Sequence, residues 1–328
     1  MQKAFEELRQ IIVAHRKFVI TTHVNPDPDA IGSELALARY LASQGKVVAI
    51  LNHSPMPAYC RFLDPKEIVE QFDPTRHGNM VLNADVIIVV DANQPERLQS
   101  LKPYIANSTA VKVCIDHHLD QMPFADLYLV DPSTAATGQI LFDLLMSFDK
   151  NCMTPEIAAP LYAAIMTDTG SFRFPKTTAT IHRITATLLE HGADPVDIYR
   201  NIYDQGSAAR LRLLGLALTS LQLEHGGKVA HMAVSADMFE KTGTTEEDIE
   251  SFINYTLTIA GVQIGLMFTD LREVVKVSFR SRGDIAVNKL AQEFGGNGHK
   301  NAAGARIPAE RLETVRNHVL ASAAKYIQ

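Results

Sequence analysis

A chain of 328 residues, 46% hydrophobic and 21% charged, is long enough for two cored domains and too apolar to be disordered. No run approaches the roughly 20 apolar residues of a membrane helix, and the opening MQKAFEELRQIIVAHRK mixes both charge signs, unlike a signal peptide. A net charge of −6 argues against tracking long duplexes by phosphate neutralisation. The charge is uneven, however: residues 270–328 hold ten Lys/Arg against six Asp/Glu, a local +4, and the rest stands at −10. An acidic part followed by a basic one suits a small anionic substrate. Cys60, Cys114 and Cys152 fit no zinc spacing or disulfide framework, so a cytoplasmic protein is expected.

In chain order, an amphipathic first helix precedes a strand at Lys17–Thr22 and the loop of TTHVNPDPDAIGS. His23, Asp27 and Asp29 fall within seven residues there, and Pro26 and Pro28 are expected to hold the connection away from helix. The plain alternative is a polar loop in which Asp29 caps the next helix. That helix is predicted from about Ala30 to Gln44, stopping at Gly45, with a strand at Lys46–Asn52. Residues 53–80 read as Pro-rich and irregular, with a short helical stretch near Pro65–Phe72. ADVIIVVD, Ala84 to Asp91, and AVKVCIDHH, Ala110 to His118, are continuous apolar runs closed by acidic and imidazole groups. Such runs mark strands buried on both faces of a parallel sheet.

Helices are predicted from about Ala135 to Phe148 and from Pro155, with Thr154 as cap, to Asp168. The second is apolar almost all round and so should be buried. Another helix covers 178–190. The first domain is taken as 1–191, a linker as 192–207 and the second domain as 208–328. In the latter, helices are expected at about Ser207–Leu223, Glu246–Thr258 and Ile285–Phe294, and strands at Val229–Val234, Gly261–Phe268 and Glu273–Arg280. The chain then enters GGNGHKNAAGARI, in which Gly295-Gly296 also reads as a plain helix C-cap.

His23, Asp27, Asp29, Asp91, His117 and Asp168 bring carboxylates and imidazoles from several strand and helix ends. In open α/β sheets those ends bind ligands. Oxygen-rich sites with imidazole and no thiolate favour Mn²⁺ or Mg²⁺. Two such ions ~3.5–4 Å apart could share a carboxylate and activate a bridging water, although spacing alone does not dictate the sharing.

DPDAIGS, the Asp91 strand end, Asp116-His117-His118 and TDTGSF together resemble the ordered motifs of the DHH phosphoesterases, and GGNGHKNAAG resembles the signature of the associated DHHA1 domain. The resemblance covers nearly the whole chain and is to the bacterial nanoRNase/pAp phosphatase branch. It implies an α/β fold: a DHH domain with a mainly parallel sheet flanked by helices, a smaller α/β DHHA1 domain, and a cleft between them. It implies two divalent metals, Mn²⁺ first, with Mg²⁺ or Co²⁺ as alternatives. One would take His23, Asp27 and a shared Asp91; the other Asp29, Asp91, His117 and Asp168. Asp116 would orient an imidazole, and His118 would lie beside the scissile phosphate. Arg280, Ser281, Gly296, Gly298 and His299 would contact substrate. Asn297 stands where the family often has glycine, and Arg97 is expected as a structural ion-pair partner.

The implied reaction is hydrolysis of short oligoribonucleotides to mononucleotides and of 3′-phosphoadenosine 5′-phosphate (pAp) to AMP, by a homodimer, with no membrane or long-duplex partner. Rival readings are a cyclic-dinucleotide or linear-dinucleotide (pApA) phosphodiesterase, a family II pyrophosphatase, a RecJ-type exonuclease and a non-catalytic nucleotide sensor. The GGNGH loop disfavours the pyrophosphatase, the short chain and modest basic surface disfavour RecJ, and the full set of metal ligands disfavours the sensor.

Overall fold

The VIIVV run behaves as its composition demands: all five residues from Val86 to Val90 are fully buried, which requires cover on both faces of the sheet. The computed structural model describes residues 1–308 and 311–327, and all their side chains except that of His299. The chain divides into two units, Met1–Gln205 and Gly206–Gln328.

The first unit runs α1 (Gln2–Ala14), β1 (Lys17–Thr21), α2 (Pro28–Ser43), β2 (Val47–Asn52), β3 (Val69–Gln71), α3 (Pro74–Leu82), β4 (Val86–Val90), α4 (Lys102–Asn107), β5 (Val111–Asp116), β6 (Leu127–Val130), α5 (Thr137–Phe148), α6 (Pro155–Asp168), α7 (Ala179–Glu190) and α8 (Pro195–Tyr203). Its six strands form one sheet in the order β3-β2-β1-β4-β5-β6, every pairing parallel. Alternation along the strands separates two cores. Phe18, Ile20, Ile88 and Val90 pack with Ile31, Leu35, Leu141 and Leu161. Val19, Ile87 and Val89 face Leu98 and Leu101 on the other side. The fold is α/β.

Helix α6 is buried, as its composition predicts, and carries Pro160 inside it. Proline has no N–H for the carbonyl of Glu156, and Arg39 donates to that carbonyl instead while its other terminal nitrogen donates to Leu63 O at 2.5 Å. Helices α2 and α6 come so close that a Cβ on Gly32 would lie 2.3 Å from Pro160 O. Gly32→Ala is therefore expected to destabilise the fold by about 1–3 kcal/mol. That clash outweighs the roughly 1 kcal/mol that alanine gains in a helix, and denaturant midpoints would reveal a variant that is instead as stable as the parent.

The second unit holds α9 (Ala208–Thr219), β7 (Gln222–Glu224), β8 (Val229–Val234), α10 (Ala236–Thr242), β9 (Ile264–Asp270), β10 (Val274–Ser281), α11 (Val287–Gln292), β11 (Asn297–His299), β12 (Ala302–Pro308) and α12 (Leu312–Ala323). Its sheet order is β11-β12-β10-β9-β8-β7, antiparallel except for β8 with β9.

Several expectations change. Pro28 does not keep the loop out of helix but opens α2, because its fixed φ suits the first helical position. Residues 53–80 are not irregular: they contain a 3-10 turn at Ala58–Leu63, strand β3 and the start of α3. The helical stretch near Pro65–Phe72 is absent, and part of it is the β3 edge strand. The predicted helix Glu246–Thr258 is two 3-10 turns broken at Ser251, whose φ is 68°. The stretch expected as a linker, 192–207, contains helix α8.

Candidate metal centre

In the order β3-β2-β1-β4-β5-β6 the chain winds outward in opposite directions from β1 and β4, so the carboxyl ends of these neighbours open a crevice. His23 follows β1, Asp91 follows β4, Asp116 closes β5 ahead of His117 and His118, and Asp168 ends α6. Asp27, Asp29 and these groups meet there. The ligand atoms of His23, Asp27 and Asp91 lie within 4.8 Å of one another, as do those of Asp29, His117 and Asp168, and of Asp91, His117 and His118. Asp91 faces both sides: Oδ2 is 3.3 Å from His23 Nε2, and Oδ1 is 3.6 Å from His117 Nε2. His117 Nε2 is also 3.1 Å from Asp168 Oδ2 and 3.7 Å from Asp29 Oδ2.

Local structure explains each placement. Asp27, not Asp29, caps α2: its Oδ1 accepts from the N–H groups of Asp29 at 3.0 Å and Ala30 at 3.1 Å. Its Oδ2 remains 4.0 Å from His23 Nε2. Asp29 is buried and takes the N-terminus of α5, accepting from Thr137 N at 2.8 Å and Gly138 N at 2.9 Å. The Thr137 hydroxyl donates to Asp91 Oδ1 at 2.9 Å. Asp91 itself has φ 57°, a left-handed conformation that turns its carboxylate off the end of β4 into the crevice.

His23 Nδ1 lies 2.9 Å from Val24 O, a group that can only accept. The proton therefore sits on Nδ1, and the Nε2 lone pair points at carboxylates. His23 Nε2 and both ring nitrogens of His117 are buried without a hydrogen-bond partner. Burial, then the neighbouring charge of Asp168, pushes the Asp29 carboxyl up to about 7. Burial and repulsion from Asp29 hold Asp91 well above the carboxylate range. Burial and the charge of Arg97 hold His23 low, while for His117 burial is outweighed by Asp168 and Asp29, which raise it. Among the described residues, no Lys or Arg forms an ion pair with Asp27, Asp29, Asp91 or Asp168. Lone pairs converging without a cation are costly, and divalent cations fit this donor set of hard oxygens and imidazoles.

Asp116 Oδ1 lies 2.8 Å from His118 Nδ1 and accepts from His117 N at 2.8 Å. It therefore holds the imidazole of His118 in one orientation. In the second unit, Arg280 leaves β10 half-buried, one terminal nitrogen donating to Phe279 O at 3.0 Å. The Ser281 hydroxyl donates to Ile285 O at 2.6 Å and accepts from Asn301 Nδ2 at 2.9 Å, so it braces the end of β10. Gly296 and Gly298 are needed by the chain's own backbone: added Cβ atoms would meet Gly304 O at 2.3 Å and Ala302 O at 2.5 Å. Gly295, at φ 71°, follows the end of α11 as the plain C-cap reading has it, and Asn297 is extended in β11. The His299 side chain lies outside the described residues.

Residues 17–165 match the DHH family, N-terminal domain, and residues 226–325 match the DHHA1 domain. The chain is 33% identical over 303 residues to the bifunctional oligoribonuclease and PAP phosphatase NrnA of Thermus thermophilus, covering 92% of this chain and 87% of that one. It belongs to the DHH family. Another relative of the same name, from Bacillus subtilis, is 26% identical over 306 residues, 92% of each chain. The crystal structure of an exopolyphosphatase-related protein from Bacteroides fragilis superposes with a TM-score of 0.93 at 30% identity, covering 98% of this chain and 96% of that one.

Some groups at the centre of this DHH chain escape a motif-based reading. Thr137 and Gly138 hold Asp29 and Asp91 yet stand in ordinary helix-opening sequence. A Cβ on Gly138 would lie 2.6 Å from Ala164 Cβ, so glycine lets α5 approach α6. Asn93 ties two strand ends together, donating to His118 O at 2.9 Å and Leu119 O at 3.2 Å. An Asn two residues past a strand-end Asp was the signal available for it.

Proposed function

We propose that the chain is a metal-dependent phosphoesterase that hydrolyses short oligoribonucleotides to mononucleotides and pAp to AMP. One observation carries the reading: two His/Asp groups meet at the sheet's switch point, with the two oxygens of Asp91 turned toward opposite groups. The relatives named for oligoribonuclease and PAP phosphatase activity support the choice of substrate. His23, Asp27 and Asp91 would hold one divalent ion and Asp29, Asp91, His117 and Asp168 the other. Mn²⁺ suits these ligands, with Mg²⁺ or Co²⁺ as substitutes, and such ions supply Lewis acidity toward the phosphoryl oxygens and the attacking water.

The protein's own groups do the rest. The Thr137 hydroxyl and the N-terminus of α5 fix the Asp91 and Asp29 carboxylates before substrate arrives, so little reorganisation is required. His118, braced by Asp116, is placed to deliver a proton to the nucleoside oxygen as its bond to phosphorus breaks. In the second unit Arg280 grips a substrate phosphate through its guanidinium, with His299 as a further contact. We place this activity in the cytoplasm and in a homodimer.

Product analysis tests the proposal. Labelled RNAs of two to five nucleotides and pAp, with Mn²⁺, should release mononucleotides and AMP. Cleavage confined to cyclic di-AMP or pApA would replace it with a dinucleotide phosphodiesterase. Binding of all these without cleavage would leave a nucleotide sensor.

A further inference from the structure

The segment after Asp91 is tied to the loop that carries His23. Residues Pro95–Leu101 form a 3-10 turn, and its Arg97 accepts at its backbone carbonyl from Val24 N at 2.8 Å. Val24 is the residue whose own carbonyl receives His23 Nδ1. The Arg97 backbone is thereby clamped against the His23 loop, and its charge bears on the His23 ring. Sequence reasoning expected an ion-pair partner for Arg97. Among the described residues, no carboxylate lies within 4 Å of its guanidinium, and no carbonyl accepts from it. Its side chain is half-buried. A half-buried guanidinium on a segment clamped to the His23 loop, and paired with no carboxylate among the described residues, is the arrangement expected where an anion completes the site on binding.

We propose that Arg97 is a phosphate-binding residue, its guanidinium gripping nonbridging oxygens of the substrate phosphate on the His23 side of the centre. The assignment rests on the phosphoesterase reading and adds a phosphate-recognising group from the first unit.

The test uses the Mn²⁺-loaded full chain, with AMP, inorganic phosphate and adenosine as calorimetric probes. R97Q should weaken AMP and phosphate binding about ten- to a hundredfold, the worth of a charge-assisted pair, and raise KM for pAp in step. Adenosine binding, bound metal per chain and the thermal midpoint should stay as in the parent. Unchanged AMP and phosphate affinity would overturn the assignment, and so would loss of bound metal from a folded R97Q, which would make Arg97 a support of the metal ligands. Should R97Q fail to fold, R97K decides, because it keeps the charge but not the fork. Weaker phosphate binding with metal content intact upholds the proposal, and parental affinity overturns it. A parent chain that neither cleaves pAp nor binds AMP would remove the phosphoesterase reading, and Arg97's role with it. A parent that does both beside an unaltered R97Q would remove only Arg97.

Discussion

Asp91→Asn should lower turnover of pAp by roughly a thousandfold or more, because both of the metal positions we propose would lose the carboxylate assigned to them in common. The substitution is close to isosteric, so lost activity cannot be ascribed to a hole. Asp91 is buried, with Oδ2 3.3 Å from His23 Nε2 and Oδ1 3.6 Å from His117 Nε2. Asparagine would keep one oxygen and turn an amide toward the other group, and an amide nitrogen has no lone pair for a cation. The same change should stabilise the metal-free protein, since burial and the facing Asp29 already hold the Asp91 carboxyl well above its ordinary range. Relief of a buried, repelled charge is worth about 1–3 kcal/mol. Kinetics at saturating Mn²⁺, bound metal by atomic absorption and unfolding in chelator check the three parts. Parental activity at saturating metal would end the shared-ligand assignment.

Glu34→Gln should alter how stability depends on pH. Glu34 is fully buried on α2, where Oε2 accepts from Asn52 Nδ2 at 2.8 Å and Oε1 has no partner. Burial pushes its carboxyl up to about 8 from 4.5, with the Asn52 hydrogen bond opposing. Below the unfolded value both states carry the proton, and the group is neutral in its effect. As pH rises from 4.5 toward about 8, the unfolded carboxyl ionises while the folded one keeps its proton, so stability falls. Above that window the loss is complete, on the order of 5 kcal/mol. The glutamine variant lacks this slope. It should match or fall slightly below the parent at pH 4.5, where an unsatisfied amide costs about 1 kcal/mol, and exceed it above pH 8. Urea titrations across that range measure the difference, and parallel pH profiles would show that Glu34 is not held protonated.

Asn52 connects this pair to the centre. Its Oδ1 accepts from Thr22 N at 3.2 Å, just before His23, while the Thr22 hydroxyl donates to Val90 O at 2.8 Å, just before Asp91. The strand ends that present the two groups are thus tied from below. None of this was legible from motifs, because a Glu on a helix and an Asn ending a strand are ordinary surface residues until folding buries both. The ion pair expected of Arg97 is absent among the described residues for the related reason that pairing depends on what stands opposite in space. The motif sets Ser281 beside Arg280, but alternation along β10 turns it to the other face, where it braces its own chain.

Local pattern determined a good deal by itself. Continuous apolar runs mark Val86–Val90 and Val111–Asp116 as buried parallel strands, since nothing else hides aliphatic side chains on both faces. The same runs put Asp91 and Asp116-His117-His118 at strand ends, and residue type alone announced chemistry for hard cations. Tertiary structure decided which groups face which. The order β1-β4-β5 across the sheet, the left-handed turn at Asp91, and the arrival of the α5 N-terminus over Asp29 all depend on contacts between residues distant in sequence. Periodicity reports only whether a side chain is covered; its neighbours are set by the packing of whole elements, which no local stretch contains.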